Sequence, residues 1–83
     1  MNNDVRYRRM NLRVRGRAAR GDIVCYEDAA NPTRVFRVEA GADRSGQYPL
    51  RNLETHTAEY SDLLQPGWHF ASLYDEQNAS PVA

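Results

Sequence analysis

The sequence predicts an all-β domain: a small barrel of four to five short antiparallel strands, with a single 3₁₀ turn before the last one. Three observations carry that prediction. Two runs rich in β-branched and aromatic residues, IVCY at 23–26 and VFRV at 35–38, flank the turn-forming DAANPT at 28–33. Residues 5–15 alternate apolar and charged side chains at the two-residue period of a strand. Glycine and proline breaks recur along the chain, and no stretch carries the apolar stripe of a long helix.

Each element follows in order. Residues 1–4 read as a frayed end. Val5 and Tyr7 alternate with Arg6 and Arg8, and then Met10, Leu12 and Val14 alternate with Asn11, Arg13 and Arg15. The two sets are out of phase at Arg8–Arg9, where a β-bulge would restore a continuous face. GRAARG at 16–21 breaks the pattern. The run 23–26 and the run 35–38 form a hairpin joined by a connector longer than a tight two-residue turn, with Pro32 inside the connector. Phe36 and Val38 form the apolar face of the return strand. After the polar turn at 40–46, YPLRNL at 48–53 reads as a strand whose Pro49 suits an edge or a strand start. ETHT at 54–57 turns the chain into residues 58–61. DLLQ at 62–65 has room for one helical turn, capped by Asp62 or Ser61 and stopped by Pro66-Gly67. WHFA at 68–71 closes the set as a strand, and residues 75–83 read as a loose tail.

The chain of 83 residues forms one domain and buries only about 60–65% of its unfolded surface, which favours surface binding over an enclosed catalytic cavity. It divides into a basic strand or arm at 1–20, a barrel at 21–74 and the tail at 75–83. A zero net charge conceals an asymmetry: residues 1–20 sum to +6 and residues 21–83 to −6. All eleven basic residues are arginine, a bias that a GC-rich coding sequence also produces. No run of eighteen apolar residues exists and no apolar stretch follows the charged start, so neither a transmembrane helix nor a secretory signal is expected. The single Cys25 cannot form an internal disulfide, and a reducing cytoplasm is the expected compartment.

The order GDIV-x-Y, turn, V-F-R-V, turn, L-x-N-L-E-T and L-x-P-G-W across residues 20–71 resembles the small SH3-like barrels, including their KOW and Tudor-type relatives. The resemblance implies a barrel in which a Gly-Asp opens a strand and a one-turn 3₁₀ helix precedes the final strand. It implies little about activity, because one fold hosts many functions. The basic first strand has no counterpart in those barrels. Residues 71–75 (ASLYD) look like the ALYDY motif of peptide-binding SH3 domains but sit at the wrong end of the chain.

Two sets of side chains are candidate sites. Arg6, Arg8, Arg13, Arg15 and Arg17 would form a cationic edge, either pairing with the acids of residues 21–83 within or between molecules, or meeting nucleic-acid phosphates. Tyr26, Tyr48 and Tyr60 are candidates for an aromatic groove, whereas Trp68, Phe36 and Phe70 are expected in the core. His56 and His69 have no ligand spacing, Cys25 reads as a small core residue, and no phosphate loop or nucleophile elbow is present, so no metal, cofactor or catalytic residue is expected. The sequence therefore points to a non-enzymatic module that binds a protein or a second copy of itself. Nucleic-acid binding through the arginine-rich segment is the alternative.

Overall fold

The computed structural model describes residues 5–74; the expected frayed start and loose tail lie outside them. Six strands form: β1 (Tyr7–Arg13), β2 (Ile23–Asp28), β3 (Asn31–Val38), β4 (Tyr48–Asn52), β5 (Ala58–Ser61) and β6 (Trp68–Leu73). They make one antiparallel sheet in the order β1-β6-β2-β3-β4-β5, so the described residues are all-β, with six strands and not four to five. The sheet is open, with β1 and β5 as its outer strands. The basic segment is part of that sheet, since β1 pairs with β6 and the following Val14 enters the core.

The sheet wraps one face around Val14, Val24, Phe36, Val38, Tyr48, Leu50, Leu63 and Trp68. Strand alternation puts Cys25 and Val35 on the opposite face, where both are buried as well. Tyr7 belongs to that second face. Burial raises its phenol above the ordinary value, Cys25 adds to the shift, and a hydrogen bond with Thr33 opposes it. A strand covered on both sides explains why IVCY is apolar without alternation.

Three local expectations change. The hairpin connector is tight after all: Asp28 pairs with Asn31, and the Asp28 carboxylate accepts the Ala30 N–H at 3.0 Å. Pro32 lies inside β3, at an irregularity where Glu27 faces both Pro32 and Thr33, a place that does not need a regular ladder N–H. In β1 the irregularity falls between Arg9 and Arg13, where residues 10–12 face Phe70 alone, and not at Arg8–Arg9. Met10 (43% exposed) and Leu12 (56%) consequently point to solvent, and of the expected apolar face only Val14 is buried.

The third change concerns residues 62–67, which form no 3₁₀ turn. Ser61 Oγ accepts the Leu63 N–H at 2.9 Å and Asp62 Oδ1 accepts the Leu64 N–H at 3.0 Å, so both expected caps act, but on an irregular loop. Leu63 takes a left-handed backbone (φ 60°) that drives its side chain into the core and interrupts any helix. Buried Asn52 organises the opposite turn, its side-chain oxygen accepting the N–H groups of Glu54 and Thr55. Asp43 does the same in the loop before β4. The Ser45 hydroxyl, then the Gln47 N–H, hold its carboxyl below the ordinary range.

Candidate functional site

Among the described residues β1 has a strand neighbour on one side only, and its residues from Arg8 to Arg13 are all exposed. Its chain then reverses in a tight turn in which the Arg17 N–H meets the Val14 carbonyl at 3.0 Å. Both central residues are left-handed, Arg15 at φ 53° and Gly16 at φ 70°. Such a conformation is unfavourable for arginine and survives only where neighbours hold it. Gly16 is held on both sides: its N–H donates to Leu63 O at 2.9 Å, and its carbonyl accepts the Tyr48 hydroxyl at 2.6 Å. The arginines flanking Gly16 therefore leave a fixed turn.

Arg13, Arg15 and Arg17 converge with His69 on an open concavity of about 720 Å³. Buried Val14, half-buried Phe70 and exposed Leu12 supply its apolar lining. Among the described residues no carboxylate lies within ion-pair distance of Arg13, Arg15 or Arg17. Arg9 differs, since its Nε sits 3.5 Å from Glu27 Oε2. Its guanidinium also donates to His69 Nε2 at 3.2 Å, and an arginine offers no acceptor, so the His69 proton sits on Nδ1 and points to the Gly67 carbonyl at 3.3 Å.

The sequence-predicted arginine set is thus divided. Arg13, Arg15 and Arg17 come together, Arg8 lies 5.8 Å from the Tyr74 ring centre, and the Arg6 carbonyl accepts the Tyr74 N–H. The residues at 10–12, out of register with β6, separate the two groups. His69 and Phe70 join the site only because β6 returns between β1 and β2, a placement with no local sequence signal.

The expected aromatic groove is not assembled. Tyr48 is buried and spends its hydroxyl on Gly16. Tyr26 packs on Trp68 with ring centres 4.9 Å apart, and the Arg34 guanidinium lies 5.6 Å from the Tyr26 ring centre. Tyr60 alone of the three is exposed, at 63%, on outer strand β5. Phe36 and Trp68 are core, as expected, and Phe70 is packed against that core while half exposed to the concavity.

Nucleophilic chemistry has no foothold at Cys25. Burial, and then the Glu27 charge, push its thiol up to about 11. Among the described residues no group of three or more His, Cys, Asp or Glu side chains could hold a metal ion. Among the same residues no helix is long and apolar enough to cross a membrane. A second concavity of about 350 Å³, beside Arg20, Arg37 and Glu39, already contains a carboxylate and is less suited to an anion. The chain matches no family model, no curated protein and no solved structure.

Proposed function

We propose that the domain is a non-enzymatic binding module that holds the phosphate backbone of a nucleic acid against Arg13, Arg15 and Arg17. One observation carries this reading: three arginines line a common concavity, and no described carboxylate pairs with them. Forked guanidinium donors match phosphate oxygens, and displaced counterions supply the binding free energy. Three phosphate contacts give log K against log salt a slope of roughly −2 to −3. Fluorescence anisotropy with a labelled oligonucleotide across a salt series tests this. Each of Arg13→Gln, Arg15→Gln and Arg17→Gln is expected to make the slope shallower by about 0.7–0.9. An unchanged affinity and slope in the triple variant would end the phosphate reading.

The finer fold reading belongs to the same proposal. The curled six-stranded sheet is compatible with an SH3-like barrel carrying β1 as an added strand, and the Gly21-Asp22 opening of β2 supports that reading. The buried, free Cys25 suits a reducing compartment.

A second reading, association with a protein or a second copy, is favoured by a different observation. Among the described residues no strand covers the outer edge of β1, and that strand exposes the apolar Met10 and Leu12. An uncovered edge with apolar side chains is a template for strand pairing.

A further inference from the structure

The concavity beside β1 contains more than phosphate binding requires. A ridge of arginines would serve for a backbone; here the three arginines line a recess together with the apolar Leu12, Val14 and Phe70. We propose that this recess takes an unstacked base of a single-stranded nucleic acid, while Arg13, Arg15 and Arg17 hold the adjoining phosphates. The inference deepens the phosphate-binding reading and rests on it.

Three features carry the step from phosphate to base. The recess, about 720 Å³, falls within the range of small-ligand pockets, and it is open to solvent so that a chain can pass through it. Its wall is rigid: Val14 is buried and its N–H donates to the Trp68 carbonyl at 3.1 Å, while Gly16 is tied to Leu63 and Tyr48. Finally, half-exposed Phe70 lines the recess with an aromatic side chain. An aromatic side chain is of the kind on which a base stacks. Bases inside a duplex are paired and stacked and cannot enter such a recess without being extruded. The site therefore selects single strands.

The test uses the full chain, a labelled mixed-sequence single strand, its duplex of the same length, and inorganic polyphosphate as competitor, each across the same salt series. The single strand is expected to bind on the order of tenfold more tightly than the duplex and to resist polyphosphate competition. Leu12→Ser, at an exposed position, and Phe70→Leu are each expected to lower single-strand affinity several-fold while leaving the salt slope unchanged. Arginine substitutions change the slope instead. Thermal melting confirms that each variant is folded, and Leu12→Ser keeps the test decisive if Phe70→Leu is not. Duplex or polyphosphate binding equal to that of the single strand, with salt dependence intact, overturns the base recess and leaves phosphate binding standing. So does unchanged single-strand affinity in a folded Leu12→Ser variant. Absence of salt-dependent binding to any of the three overturns both.

Discussion

Cys25 lies on the second face of β2 with no exposed surface, opposite Val35 and His69. Its thiol is raised from an ordinary 9.0 to about 11, first by burial and then by Glu27. A folded value above the unfolded one stabilises the native state fully below pH 9, and that contribution is lost as pH rises toward 11. Two outcomes are expected. A thiol reagent at neutral pH reacts with the native chain only at the rate of its opening, and urea-unfolded chain reacts at once. Stability measured by urea unfolding declines between pH 9 and 11, and Cys25→Ala removes that part of the decline. Rapid labelling of the folded protein would show that the β2 face is open. At this scale the core identities of Phe36 and Trp68 were readable because few other large apolar side chains exist. The burial of Tyr48 was not, because its hydroxyl partner, Gly16, lies thirty-two residues away.

Among the elements, the start of β6 shows a residue read for one reason and needed for another. Pro66-Gly67 reads as a stop signal, yet Gly67 has no left-handed backbone to justify it. Space explains it. A Cβ at Gly67 would strike the Glu27 carbonyl and sit 2.9 Å from Tyr26 Cε1, at the point where the Gly67 carbonyl accepts the Glu27 N–H. Gly67→Ala is expected to destabilise the domain by about 1–3 kcal/mol. Gly41→Ala, where a Cβ meets nothing within 4 Å, is expected to be neutral. Urea midpoints for the two variants check the contrast, and equal midpoints would mean that β2 and β6 do not approach closely there. The misread hairpin has a related cause. Pro32 lacks an N–H and so reads as part of the turn, but the irregularity in β3 provides another place where that donor is not needed. In β1 the apolar period continued through Met10 and Leu12, and the interrupted register with β6 turned both side chains outward.

Over the whole molecule, the charge division persists without self-neutralisation at the site. Arg9 pairs with Glu27 and Arg51 with Glu39, while Arg13, Arg15 and Arg17 have no carboxylate partner among the described residues. The same outer strand serves both readings of function, and they separate by salt. Under the association reading, light scattering shows a dimer that resists high salt, because an apolar and strand-paired interface is weakly screened. Leu12→Asp, placing a charge on that exposed edge, is expected to give a monomer. Removing residues 1–16 is a poor test, since Val14 and Gly16 belong to the core and its closure. A wild-type monomer at both low and high salt eliminates self-association, whereas complexes of the phosphate reading dissociate as salt rises.

Sequence alone determined what depends on neighbours along the chain: the all-β class, the approximate strands, their glycine and proline breaks, and the clustering of arginines in the first segment. Local propensity and a two-residue period are sufficient for these. Tertiary structure decided which arginines meet, that β6 lies between β1 and β2, and that His69 and Phe70 complete the recess. It also decided that residues 62–67 bend through a left-handed Leu63 in place of a helical turn. Those outcomes depend on strand pairing and on burial between segments far apart in sequence. A one-residue change in register reverses which side chains face the core, and no local pattern records that choice.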